Sequence, residues 1–287
     1  MKKSIFLLGT ILFSLAYAKP NIVVSIPPQK TFVQKIAKDK AEITVMVEPG
    51  NSPHSYEPKP SQMVFISKAD LYFSIDVEFE EVWLDRFTSQ NPKLKIANMN
   101  HEVPKIPMAA HQHKSAHHTP EHHHRDTTDP HTWTSPKNVA IMAKNIYQTL
   151  AQIDPENEPF YKSNLDIFIK EIQNTDAQIK NALKEVKPKS KFMVFHPSWG
   201  YFAHEYDLVQ LAVEIEGKNP KPKEIIDIIN EAKEEKVRVI FAQPEFSDKS
   251  AQIIAKETNT LVKKISPLDP DWSENLINIA HEIANKQ

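Results

Sequence analysis

A single helical pattern, running from Asp154 to just before Pro188, decides what the rest of this chain can be. Phe160, Leu165, Phe168, Ile169, Ile172, Ile179, Leu183 and Val186 recur along it at helical spacing, so one face is apolar from end to end. Asp154-Pro155 supplies a start signal, and Pro159 leaves the first helical residue open between Asp154 and Asn157. Roughly 28 residues at 1.5 Å each make a rod about 42 Å long. A helix of that length runs the length of a domain. Standing between two series of short strands and helices, it reads either as an ordinary core helix or as a rigid strut between two lobes.

Before the rod, strands are expected at Asn21 to Ser25, Glu42 to Val47, Leu71 to Ile75 and, weakly, Lys95 to Ala97. Helices are expected at Thr31 to Lys38, Ser61 to Lys68 and Glu78 to Phe87, and Ser135-Pro136 gives an N-cap and first-turn proline for another, reaching about Gln152. Beyond the rod the alternation restarts, with strands at Phe192 to Phe195, Leu208 to Val213, Val237 to Ala242 and Thr260 to Ile265. Helices fall at Trp199 to Glu205, Lys223 to Glu235, Asp248 to Glu257 and Ser273 to Asn285. Mostly apolar strands alternating with helices build parallel sheets covered on both faces. The expected fold class is α/β: two small parallel-sheet β/α lobes, residues 19–153 and 189–287, joined by one long rigid linking helix, 154–188, with a cleft between the strand ends.

Several classes of protein are excluded early. Lys2-Lys3, an apolar run from Ile5 to Leu15 and Ala16-Tyr17-Ala18 have the order of a cleavable signal peptide over residues 1–18, which implies export. That run is well under the ~20 residues that span a bilayer. Cleavage removes two lysines and no acids, moving the formal net charge from -2 to -4. A mildly acidic chain without a concentration of Lys and Arg does not make a phosphate-tracking surface. The absence of cysteine rules out disulfides, thiolate metal ligands and a lipid-modified N-terminal cysteine, so an exported chain fits a periplasm better than a bare cell surface. Beyond the signal peptide only Gly50, Gly200 and Gly217 stand against 22 prolines, which argues for rigidity over wide hinge motion.

The chemistry lies in the histidines. Of 13, seven crowd one stretch: His111, His113, His117, His118, His122, His123 and His124. The surrounding segment, 101–128, is too long and polar for a packed connection and is expected to be a mobile loop of the first lobe. Its imidazoles can bind metal weakly, although a solvated low-complexity linker has the same composition. Ligand sites in parallel sheets lie where loops leave the carboxyl ends of strands. Four donor-type side chains occupy such positions: His54 in the Pro-rich loop after the second strand, His131 at the end of the His-rich segment, His196 directly after Phe192 to Phe195, and Asp269 after the last strand. Taken singly, each has a plainer role as a solvated or hydrogen-bonded histidine or a turn aspartate. Three neutral imidazoles and one carboxylate suit Zn2+ and would leave the cluster at net +1. Asp271 or a water competes with Asp269 for the fourth place. No H-E-x-x-H motif supports a zinc hydrolase, for which Glu57 or Glu245 would have to serve as base.

Asn51-Ser52-Pro53-His54-Ser55-Tyr56-Glu57-Pro58, Asp129-Pro130-His131-Thr132-Trp133, Phe195-His196-Pro197-Ser198-Trp199-Gly200-Tyr201-Phe202 and Pro244-Glu245-Phe246-Ser247 resemble the metal-binding substrate-binding proteins of ABC transporters, zinc-uptake branch. The resemblance covers the chain from residue 19 onward, in order. It implies two α/β lobes bridged by one helix, no enzymatic activity, capture of Zn2+ in the periplasm, and delivery by a monomer to an ABC permease in the inner membrane. It carries metal ligation onto His54, His131, His196 and an acidic residue near the last strand, taken as Asp269. Members that carry manganese are similar but have a carboxylate where His196 stands and usually lack the His-rich insertion, which leaves a manganese or ferrous-iron carrier as the alternative. Pro197-Ser198-Trp199 departs from the Asp or Ala and aromatic that relatives often show there.

Overall fold

The computed structural model describes residues 19–108, 128–215 and 218–285. The expected signal peptide, residues 1–18, and the seven clustered histidines fall outside the described residues. The first lobe runs β1 (Asn21–Val24), α1 (Pro27–Ala37), β2 (Glu42–Val45), α2 (Pro60–Lys68), β3 (Leu71–Ser74), α3 (Glu78–Gln90), β4 (Lys95–Asn98) and α4 (Pro136–Ile153). The long helix is α5 (Glu158–Leu183). The second lobe runs β5 (Lys191–Val194), α6 (Gly200–Glu205), β6 (Val209–Ala212), α7 (Pro222–Glu234), β7 (Val239–Ala242), α8 (Lys249–Thr258), β8 (Leu261–Lys264) and α9 (Trp272–Ala284).

Each lobe carries a four-stranded parallel sheet, ordered β2-β1-β3-β4 in the first and β6-β5-β7-β8 in the second. The fold class read from the alternation is the one found. The inner strands β3 and β7 are buried at every position, as expected for strands covered on both faces. Element boundaries differ where proline is involved. Pro27 and Pro28 do not precede α1 but form its first turn, where a missing N–H leaves no hydrogen bond unmade. Pro155-Glu156-Asn157 winds as a 3-10 turn, so α5 keeps 26 residues and is about 39 Å long.

The long helix is both strut and core. Leu165, Phe168, Ile172 and Ile179 on its apolar face join one hydrophobic cluster that includes Phe32 and Ile36 of α1, Met142 and Ile146 of α4, and Leu276 and Ile279 of α9. The C-terminal helix therefore returns to the centre of the molecule, where Trp272 meets Phe32 edge-on at 5.5 Å. A second, smaller cluster, including Met193, Ile240 and Ile254, fills the outer side of the second sheet. Polar stitches cross the cleft: Trp133 Nε1 donates to the Pro267 carbonyl at 2.7 Å, Trp272 Nε1 to the Trp133 carbonyl at 2.7 Å, and the Tyr201 hydroxyl to the Asp129 carbonyl at 3.1 Å. Each buried bond of this kind contributes about 1 kcal/mol net. Together they hold the lobes in one register, in keeping with a chain poor in glycine.

Candidate metal centre

The carboxyl ends of both sheets face the cleft. β2 empties into a loop where Gly50 adopts φ +83°, and the chain then turns through Pro53 to His54. His131 ends the connection from β4 to α4, just before the turn Thr132–Thr134 that Ser135 Oγ follows as N-cap, accepting from the Asn138 N–H at 3.1 Å. His196 sits two residues beyond β5, its backbone gripped by Gln243, whose Oε1 accepts from the His196 N–H at 3.1 Å and whose Nε2 donates to the His196 carbonyl at 2.7 Å.

These three side chains meet. One donor atom from each of His54, His131 and His196 lies within 4.8 Å of the other two. Ring centroids are separated by 5.5 Å (His54 to His131), 4.6 Å (His54 to His196) and 5.3 Å (His131 to His196).

All three rings are held the same way. His54 Nδ1 lies 2.8 Å from Glu78 Oε2, His131 Nδ1 2.8 Å from Asp129 Oδ1, and His196 Nδ1 2.8 Å from Glu214 Oε1. An Nδ1–H donated to a carboxylate fixes the tautomer in which Nε2 carries the free lone pair, and it raises the basicity of that nitrogen toward a metal. Asp129 adds a second grip, its Oδ1 also accepting from the His131 N–H at 2.9 Å. Burial pushes the His196 imidazole below its ordinary pKa against the pull of Glu214, so it stays unprotonated at neutral pH. Burial would raise Glu78, yet the hydrogen bond and charge of His54 outweigh it and hold the carboxyl below its usual value. His196 Nε2 is buried without a hydrogen-bond partner among the described residues, an arrangement that costs free energy unless something electrophilic occupies the space beside it.

The structure does not bring Asp269 to this group. Its Oδ1 accepts from the Asp271 N–H at 2.9 Å, closing a turn, while Pro267 and Leu268 form the cavity wall in its stead. Asp271 serves as N-cap residue of α9 and borders a different surface pocket, with Thr31 and Lys35. The acid that does line the cavity is Glu245, with Phe246 beside it stacked on His196 at 5.0 Å. Neither lysine nor arginine is among the residues lining the cavity. Glu78, Asp129 and Glu214 escaped the sequence reading. Asp129 and Glu214 carried a usable signal, since one precedes His131 by two residues and the other lies two residues past β6. Glu78 opens a helix and looks like an ordinary first-turn acid.

Three imidazoles presenting lone pairs into a cavity framed by carboxylates can bind a divalent metal of zinc's character. Comparison with known proteins points the same way. A crystal structure of ZnuA superposes with a TM-score of 0.85 at 36% identity, covering 93% of this chain and 99% of that one. The high-affinity zinc uptake system protein ZnuA of Bacillus subtilis is 27% identical over 88% of this chain and 79% of its own length. The zinc-binding protein AdcA of Streptococcus pyogenes serotype M3 is 26% identical over 89% of this chain. The match covers 52% of AdcA, so the chain spans about half the length of that relative. The family described as zinc-uptake complex component A, periplasmic, matches residues 22–285, and it is a family of solute-binding transport components, not of enzymes. The chain belongs to that family.

Proposed function

We propose that this protein captures Zn2+ from the periplasm with His54, His131 and His196 and delivers it to an ABC-type permease of the inner membrane, acting as a monomer. The observation that carries the reading is the convergence of three imidazoles from two lobes, each with Nδ1 tied to a carboxylate. Nitrogen donors select the later, softer divalent metals over manganese, which prefers oxygen. In this reading residues 19–153 and 189–287 act as the two jaws and 154–188 as the spacer. The histidines His111, His113, His117, His118, His122, His123 and His124 collect or sense zinc weakly and are dispensable for the tight site.

Zinc titration of the metal-free chain from residue 19 tests this. One tight equivalent is expected, and it survives deletion of residues 111–124; disappearance of the tight site together with the tract would sink the proposal. Metal analysis of protein purified without chelator or added metal separates zinc from manganese and ferrous iron. Because a protonated imidazole cannot bind metal, affinity falls as pH drops through the histidine range near ~6.5.

A further inference from the structure

We propose that Glu245 is the fourth zinc donor of this protein, in the place expected for Asp269; the inference rests on the zinc-binding reading above. Three observations converge on this carboxylate. It lines the cavity of the three histidines, together with Ser52, Trp133 and Phe246. One oxygen is held, Oε1 accepting from the Ser266 hydroxyl at 2.6 Å, while the other, Oε2, is buried with no hydrogen-bond partner among the described residues. A buried carboxylate oxygen left bare is costly, and its usual remedies are a cation or a donor. The residues lining the cavity include no lysine or arginine, so the cation that fits is a metal.

Position and geometry support the assignment. Glu245 lies three residues beyond β7 and His196 two beyond β5, and these are adjacent inner strands of one sheet. Phe246 stacks on the His196 ring at 5.0 Å, so carboxylate and imidazole are carried by one packed unit. The set of donor atoms mutually within 4.8 Å comprises the three histidines, and Glu245 stands outside it. A tetrahedral zinc with bonds of about 2.0–2.2 Å places its donors roughly 3.4 Å apart, so histidine donors within 4.8 Å of one another draw in by at most about 1.4 Å. Glu245 completes the same contraction by turning Oε2 inward while Oε1 keeps Ser266. Because Ser266 lies next to Pro267, whose carbonyl accepts from Trp133, closure of Glu245 on the ion is transmitted to the contact between lobes. Asp269 differs in place: it is not among the residues lining the cavity, and its Oδ1 accepts from the Asp271 N–H in its own turn.

The test compares Glu245→Gln with Asp269→Asn by zinc titration against a competing chelator and by the visible spectrum of the Co2+-loaded proteins. Glutamine can still accept from Ser266, so the metal-free protein should melt with wild type. The expected result for Glu245→Gln is a loss of zinc affinity of at least about tenfold and displaced Co2+ ligand-field bands. Asp269→Asn should stay within about twofold of wild type with an unchanged spectrum, and Glu245→Asp should fall between. Wild-type affinity and spectrum in Glu245→Gln, or transfer of the loss to Asp269→Asn, overturns the proposal while leaving zinc binding intact. Failure of the wild-type chain itself to take up a tight equivalent of zinc overturns the underlying reading instead, so the two failures are distinguishable.

Discussion

The two lobes share a strand order but hold their histidines differently. In the second lobe the donor is built into the sheet: His196 follows an inner strand, Gln243 grips its backbone on both sides, and Glu214, itself buried, fixes its ring. At the matching inner strand of the first lobe the chain leads into Ser25 instead, and there the clamp of Gln29 and Glu80 holds no metal donor. The first lobe supplies its histidines from outside, His54 from the loop after edge strand β2 and His131 from the connection that leaves edge strand β4. His54 depends on Glu78, whose side chain is 46% exposed, against 4% for Glu214. His131 is as buried as His196, with Asp129 buried behind it, so the donor that solvent can reach is His54 on its loop.

On that contrast, removing the preformed donor His196 costs most. Structural zinc sites gather about 10–16 kcal/mol over four donors, so one donor is worth roughly 3 kcal/mol, about two decades of affinity. His196→Ala should lose at least that much in a chelator-competition titration. His54→Ala should lose less, on the order of tenfold, because water can take the vacated position at an exposed site. Equal losses would break the comparison.

A stability effect of similar size separates the lobes without metal. Burial lifts Glu80 to about 7, although Ser25 and the N–H groups of Ile75 and Asp76 pull the other way. The folded state then holds a proton that the unfolded chain releases near its ordinary value of 4.5. The contribution of Glu80 to the stability of the metal-free protein is therefore full below that value, is lost as pH rises toward about 7, and does not return above. A shift of between two and three pH units corresponds to roughly 3 kcal/mol. Glu80→Gln stays neutral, can accept from Ile75 and Asp76 and can donate to Ser25, so urea unfolding of the variant should lack the loss of stability that Glu80 causes across this window. The counterpart clamp in the second lobe, Gln243, is already neutral. A pH slope that survives in Glu80→Gln would place its origin elsewhere.

How much of this was legible beforehand follows from the same contrast. The alternation of apolar strands and helices gave both sheets, because strands such as Leu71 to Ser74 are buried on both faces and read as continuous apolar runs. His54, His131 and His196 were legible only together: each alone had a plainer role, and their shared position past strand ends pointed to one site. Asp269 is the candidate that the cavity lining leaves out, for a physical reason. Position beyond a strand places a backbone at the cleft but does not aim a side chain, and Asp-Pro-Asp closes a turn on itself. Glu78 could not be found, since the partner it serves is 24 residues away in sequence, and only the folded loop brings His54 to it.

The next effect is smaller and tests the seam between the jaws. Gly200 opens α6 in the second lobe, and a Cβ added there would collide with Asp129 Oδ2 of the first. Asp129 is the group that holds both the ring and the N–H of His131. Gly200→Ala should therefore destabilise the protein by about 1–3 kcal/mol and also weaken zinc binding, as displaced partners of metal-bound histidines do. Gly50 provides the control in the His54 loop: a Cβ there meets nothing within 4 Å, and only its φ of +83° is strained. Gly50→Ala should cost roughly 1 kcal/mol of stability by thermal unfolding and leave the zinc affinity close to wild type. Weakened binding in Gly50→Ala would mean that the loop, and not the seam, sets the position of the donors.

The finest test exchanges the carboxylates behind the rings. Glu214→Gln keeps an oxygen that can accept from His196 Nδ1 but removes the charge that strengthens the imidazole as a donor. The site is buried, so no water can replace what is lost, and zinc affinity should fall by roughly tenfold. Glu78→Gln makes the same change behind His54, where solvent screens the charge and a water can accept from Nδ1 in its place; the loss there should be no more than about two- to threefold. Isothermal titration with zinc at fixed ionic strength resolves the difference, and added salt should shrink the Glu78 effect while leaving that of Glu214. A larger loss at Glu78 than at Glu214 would show that the loop-borne histidine is the one that must be oriented in advance, and the assignment of His196 as preformed donor and His54 as adaptable one would have to be reversed.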